Sequence, residues 1–428
     1  MASREFRLRR AQKLALKPLP VVISGLLTLA LVGACSSKAN NAGSTSPSGA
    51  SSSGSGPGST LNIGVLASVS GVAPGVSETA WKAVKAYAAM VNSQGGINGR
   101  KLNVITADDG LDPVKGKAAC AAVIPRVFAM VGNVGFGDAG CFPEVQSSGI
   151  PWIGFSYDSA QFYPLHNVLY PGQTPSGAIV TSTYLQYQKM FPEVKKVALL
   201  YTNVAGNIPY ANGQASVLSS LGIQSIKIPI PGDAVNLTNY VLQMKKEGVQ
   251  GILADALPEA QLAKLAQTMV QQDYDPPLKE NTQVYDSSWN KLAGTAGKGW
   301  FANLSYIPYL STDEMNTTAG GKDFLKWYTE TNPGAKVDQW AIDAWAYADF
   351  FAQGVKSAGA NLTTASFLEA AYAIKDFSAG GLIGPVTPSK KLPSTCFIIM
   401  KANGDGSYTR VHPSDQFDCS QGTVALPK

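Results

Sequence analysis

Histidine is almost absent: His166 and His412 are the two in 428 residues. That leaves little material for histidine-based acid–base catalysis or a His-rich metal centre. Charge is sparse as well, at 15% of residues with a formal net of +5. The excess is local, because residues 1–34 hold six basic residues and one acid, and from Cys35 onward 28 basic residues face 28 acids. A chain neutral over that length lacks the positive field on which nucleic-acid binding depends, and the basic stripe that holds a protein on acidic lipid. Nucleic acid is therefore not expected as a partner. No GxSxG, HExxH or GxxxxGK[ST] run occurs, and no CxxC spacing argues for metal or redox chemistry. What remains is an ordinary globular composition, 45% hydrophobic and 9% aromatic, long enough for two domains with full cores.

The first 60 residues read as an address and a spacer. A basic segment (4–17) precedes the apolar LPVVISGLLTLALVGA (19–34), the n-region and h-region of a secretory signal. Its 16 residues fall short of the roughly 20 that a spanning helix needs, so a membrane anchor helix is the weaker alternative. The stretch ends in Val32-Gly33-Ala34-Cys35, which resembles a bacterial lipobox and implies cleavage before Cys35 and diacylglycerol on its sulfur. Residues 36–60 contain 10 Ser and 5 Gly in 25 positions and no aromatic, a composition that cannot bury enough surface to fold. They read as a tether with a root-mean-square span of about 27 Å. Setting aside Cys35, four cysteines remain, an even number suited to an oxidising compartment. The simplest pairing is local, Cys120 with Cys141 and Cys396 with Cys419; four free buried thiols are the alternative.

From residue 61 onward, β-rich runs alternate with helix-period segments. Strands are expected at 61–67, 101–107, 127–131, 151–155, 195–201, 224–229 and 249–254. In 78–92, Trp81, Val84, Ala88 and Val91 share one helix face, with Gly95-Gly96 as the stop. Asp112-Pro113 has the form of an N-cap followed by a first-turn proline. This alternation predicts parallel sheets covered by helices on both faces. The series restarts near 195, so two α/β units are expected, and 391–413 reads as a hairpin around Asn403-Gly404-Asp405-Gly406.

Five stretches, in order, resemble the type I periplasmic binding proteins of the branched-chain amino acid (Leu/Ile/Val-binding) family, the solute receptors of ABC importers. They are GVLASVSG (64–71), VNSQGGINGRKLNVITADDGLDP (91–113), MVGNVGFGDAG (130–140), SGIPWIGFS (148–156) and VYDSSWNKLAG (284–294). The resemblance implies an α/β fold of two Rossmann-like lobes joined by three hinge crossings, near Gln173–Pro175, Leu304–Pro308 and Thr387–Pro393. The first lobe would comprise 61–173 and 305–388, the second 174–304 and 389–428.

The same resemblance nominates site residues. Ser70 lies in the first loop. In the third, Gly135-Phe136-Gly137 would present backbone amides to a ligand carboxylate, as Gly-rich strand-to-helix loops favour anions. Gly135-x-Gly137-x-x-Gly140 also fits a dinucleotide pattern, but it follows the third strand instead of the first, so no cofactor is expected. Ser156, Tyr157 and Asp158 follow strand four. Asp158 would either accept from a cationic or hydroxylated group or cap the next turn. Asp286 would meet a substrate ammonium or stand as a solvated loop acid. Phe136, Tyr157, Tyr210 and Trp289 either line the cleft or belong to the core. Leu257 occupies a position where the family often presents a tyrosine. Asp108 and Asp109, adjacent in an extended segment, point to opposite sides and read as a strand-end turn, not a catalytic pair.

The resulting expectation is a monomeric, non-enzymatic, lipid-anchored receptor. It captures an amino acid, amide or related metabolite and delivers it to ABC permease and ATPase subunits. The same fold used as a ligand sensor for a partner protein is the alternative.

Overall fold

The computed structural model describes residues 58–71, 74–156, 159–172, 178–203 and 207–425, all within the unit Ala50–Lys428. The signal segment, Cys35, most of the tether, Tyr157, Asp158 and the crossing at Gln173–Pro175 lie outside the described residues.

Five strands, β1 (Thr60–Ala67), β2 (Lys101–Asp108), β3 (Ala129–Gly135), β4 (Trp152–Ser156) and β5 (Val168–Leu169), form a wholly parallel sheet in the order β2-β1-β3-β4-β5. Leu61, Ile63, Val65, Leu66 and Ala67 are all buried, as a strand covered on both faces requires. The helix Glu78–Ser93 buries Ala80, Ala83, Val84, Tyr87, Ala88 and Val91, and it stops before Gly95 and Gly96. Asp112 caps the helix Pro113–Val123, accepting from the amides of Val114 and Lys115. The strand expected at 127–131 instead begins at Ala129 and runs to Gly135. Its glycines are packing sites and not loop signals: a Cβ at Gly132 would lie 2.3 Å from Val84 Cγ2.

After β5 come β6 (Ile179–Val180) and a second sheet. Its strands are β7 (Lys196–Thr202), β8 (Gln224–Ile230), β9 (Gly251–Ala256), β10 (Leu278–Glu280), β11 (Phe301–Leu304), β12 (Ile398–Ala402) and β13 (Tyr408–His412). Their order is β13-β12-β11-β10-β9-β7-β8, parallel except for the β12–β13 hairpin, which joins β11 antiparallel. A last strand, β14 (Val424–Ala425), pairs with β6. Cys120 is bonded to Cys141 and Cys396 to Cys419, the sequence-local pairing.

The chain does not stay with the second sheet. The helices Ala319–Thr331 and Gln339–Ala358 return to the first: Trp345 meets Tyr87 edge-on at 5.0 Å, Tyr87 donates to Asp349, and Thr79 donates to Asp338. Three passages therefore link the sheets. The second and third run side by side, with Ile307 N donating to Leu382 O and Gly384 N to Ser305 O. Among the described residues, no helix is long and apolar enough to cross a membrane.

Candidate functional site

Loops at the carboxyl ends of parallel strands are where doubly wound folds bind ligands. In the first lobe that edge is tied together by two adjacent carboxylates. Asp108 accepts from the amides of Val69, Ser70 and Gly110. Burial opposes its charge, but these donors and the Ser70 hydroxyl outweigh it and hold the carboxyl below its usual range. Asp109, fully buried, accepts from Ser68 Oγ at 2.6 Å, Leu111 N at 3.0 Å and Gly137 N at 3.0 Å. Ser77 Oγ donates to Val134 O and accepts from Ser68 N.

The same arrangement gives the Gly-rich loop internal partners. Val134 and Gly135 belong to β3 and stand opposite Phe155 and Ser156 of β4. The Phe136 amide donates to Ser68 Oγ at 3.0 Å, and the Gly137 amide to Asp109. The loop does hold an anion, as its geometry predicts, but the anion is the chain's own Asp109. Ser156 is likewise engaged internally, its hydroxyl donating to the buried Asp138.

Beside this edge three half-buried rings meet. Phe136, Phe155 and Trp340 have pairwise centroid distances of 5.9, 5.5 and 5.8 Å. Trp340 arrives from the returning helix Gln339–Ala358, whose N-cap Asp338 accepts from Thr79 Oγ1 and Ala341 N. Burial raises the Asp338 carboxyl above its ordinary value in spite of those donors.

The second lobe presents the loop after β10. Tyr285 is buried there; its hydroxyl accepts from Leu310 N, and its carbonyl accepts from the Tyr309 hydroxyl, so the loop is fixed to the second passage. Asp286 follows. One carboxylate oxygen accepts from Ser288 N and Oγ; the other pairs with Lys336 Nζ at 2.8 Å. Lys336 precedes the helix Gln339–Ala358, so this ion pair joins the two lobes. Asp286 is 12% exposed and Lys336 43%. Burial works against the Lys336 charge, but Asp286, with Asp338 and Glu259, reverses that and raises it above the ordinary lysine value. Ser288 Oγ lies between Asp286 and Glu259, 2.6 Å from the first and 2.7 Å from the second, so the two acids share its one proton, and burial raises the Glu259 carboxyl.

The remaining nominated residues lie elsewhere. Trp289 is 1% exposed; its Nε1 donates to Gly297 O and its ring packs on Trp300. It is a core residue of the second lobe because its indole is satisfied inside. Leu257, also 1% exposed, is core too. Tyr210, in the helix Asn207–Ser220, packs against the apolar cluster containing Tyr184, Val197 and Phe301. Ser70 is exposed at the rim. Sequence reasoning missed Lys336, Asp338, Trp340 and Glu259. Lys336, Asp338 and Trp340 lie in a stretch without a motif and reach the rim only because the chain returns to the first lobe, whereas Glu259 opens the helix after β9 of the second sheet.

The profile of a family described as periplasmic binding protein matches residues 60–407. No curated protein matches the chain in sequence. Among solved structures, a fatty acid ABC transporter substrate-binding protein from Thermomonospora curvata superposes with TM-score 0.69 at 19% identity, covering 86% of this chain and 95% of that one. LivJ, the branched-chain amino acid transporter substrate-binding protein from Streptococcus pneumoniae in complex with isoleucine, gives 0.66 at 16%, covering 86% and 100%. A leucine-binding protein, LivK, from Thermotoga maritima gives 0.68 at 12%, covering 86% and 99%. At these identities the likeness shows the α/β fold of two parallel-sheet lobes. With the profile match spanning most of its length, the chain belongs to the periplasmic binding protein family, whose members bind solutes and do not transform them.

Proposed function

We propose that this chain is the extracytoplasmic receptor of an ABC importer, anchored through lipid on Cys35, which captures an amino acid or related small metabolite between its lobes. The lobes comprise 61–173 with 305–388 and 174–304 with 389–428. One observation carries the reading: Asp286 of the second lobe and Lys336 of the first meet across the rims where such folds bind ligands. The ABC context is supported by two structural neighbours named for such transporters. One of them is named for fatty acids and the other holds isoleucine. Both ligand types join a carboxylate to an apolar part, which favours that chemistry here. ATP hydrolysis and the membrane path come from permease and ATPase partners.

The test is a metabolite screen on the full chain in mild detergent, with melting and small-angle scattering read together. A ligand at 100 times its Kd adds about 2.7 kcal/mol of stability, and closure contracts the particle. No melting shift, no contraction and no co-purified metabolite would rule the receptor reading out. Cys35→Ala should release the protein from membranes; continued retention would remove the lipid anchor.

A further inference from the structure

An α-amino acid offers a carboxylate and an ammonium on neighbouring atoms. The structure engages the groups nominated for both. The amides of Phe136 and Gly137 already donate to Ser68 and Asp109. A ligand carboxylate placed there would also face the buried Asp109 carboxylate, and like charges brought together at an interface are unfavourable. On the other rim, both oxygens of Asp286 are taken, one by Ser288 and one by Lys336. Lys336 faces two further acids: Asp338 holds Thr79 and Ala341, and Glu259 shares the Ser288 hydroxyl with Asp286. The position of a ligand ammonium is thus filled by the protein's own ammonium.

Lys336 has three N–H donors, Asp286 takes one, and the side chain is 43% exposed between the lobes. Trp340 lies four residues on, within about 14 Å of chain, and forms an apolar wall with Phe136 and Phe155. A cation within that reach of such a wall suits an acid with an apolar body. We propose that the cleft selects organic carboxylates lacking an α-ammonium group, with Lys336 holding the carboxylate and the Phe136, Phe155 and Trp340 rings holding an aromatic or branched apolar body. Lys336 is then a specificity-determining residue. This inference rests on the receptor reading of the same cleft.

Titration calorimetry on the full chain with three probes of one skeleton tests it: 3-phenylpropanoate (carboxylate alone), L-phenylalanine (both groups) and phenethylamine (ammonium alone). The expected order is 3-phenylpropanoate at least tenfold tighter than L-phenylalanine, with phenethylamine silent. Lys336→Met, checked by its melt to be folded, should weaken 3-phenylpropanoate at least tenfold, and Lys336→Arg should restore most of it. L-Phenylalanine binding as well as or better than 3-phenylpropanoate overturns the inference. So does a Lys336→Met variant with unchanged affinity, or the absence of binding by all three probes. If amino acids then still contract the particle in scattering, the receptor reading survives its refinement. If no compound in the wider screen does, the receptor reading itself has failed.

Discussion

Asp109 is wholly buried and yet surrounded by donors, which explains how a charge can sit at the base of a ligand loop. It fastens the loops after β1, β2 and β3 to one another. Asp109→Ala would strand the Gly137 and Leu111 amides and the Ser68 hydroxyl, and an unpaired buried polar group costs about 1–3 kcal/mol. The variant should lose about 3 kcal/mol or more in urea unfolding; a loss under about 1 kcal/mol would mean that water replaces the carboxylate. A second carboxylate carries a pH signature. Burial opposes the charge of Asp418, but Ser420 and the His412 ring, 2.7 Å from it, outweigh that and lower its carboxyl to about 2. A folded value below the ordinary 3.8 means that the unfolded chain binds the proton first as pH falls. The contribution of Asp418 is therefore complete above about pH 4 and lost towards about pH 2. Unfolding measured across that window should show a steeper acid loss for the native protein than for Asp418→Asn, and parallel curves would exclude the effect.

At the scale of elements, the turn Asp138–Cys141 packs against the start of the helix Pro113–Val123 at backbone distance. A Cβ on Gly140 would lie 1.7 Å from Pro113 O and 2.8 Å from Lys117 N, and the Cys120–Cys141 disulfide holds the same two elements together. Gly140→Ala must push them apart, at a cost of about 1–3 kcal/mol for overpacking. Denaturant melts should show that loss with the disulfide intact; an unchanged midpoint would mean the turn yields freely. This pair of elements also shows what was legible in the sequence. Asp112-Pro113 announces its helix because capping is local chemistry, and β1 and β7 announce themselves because strands buried over most of their length are nearly continuous apolar runs. The strands β10 and β11 did not: with three and four residues, they depend on their neighbours for the ladder and carry too little pattern alone. The Gly-rich stretch 130–140 hides its packing for a related reason. Its glycines make room for Val84, Leu66 and Asp112, contacts that no local pattern records.

Across the whole molecule, the two-lobed plan was readable from five ordered motifs, but the rim was not, because half of it comes from the returning segment that carries Lys336, Asp338 and Trp340. That segment also sets how the lobes are held. Among the described residues two ion pairs join them: Asp286–Lys336 at the rim, and Arg410–Glu314, where Arg410 Nε and Nη2 reach Glu314 at 2.7 and 2.5 Å beside the second passage. A pair near the hinge axis moves little as the lobes swing, whereas a pair at the rim must break. The rim pair therefore biases the unliganded molecule towards closure, and with Lys336 43% exposed its contribution is small. Partly exposed pairs supply up to about 1 kcal/mol, a factor of about five in the closed-to-open ratio. Asp286→Ala should accordingly raise the radius of gyration of the ligand-free protein while leaving the melt nearly unchanged. High salt should move the native protein in the same direction by screening the exposed lysine. Glu314→Gln should do the reverse, lowering stability with little change in opening, because it leaves Arg410, 11% exposed, without its carboxylate. Scattering curves identical for the native protein and Asp286→Ala, with salt without effect, would mean that the hinge passages alone set the resting angle and that the rim pair only follows it.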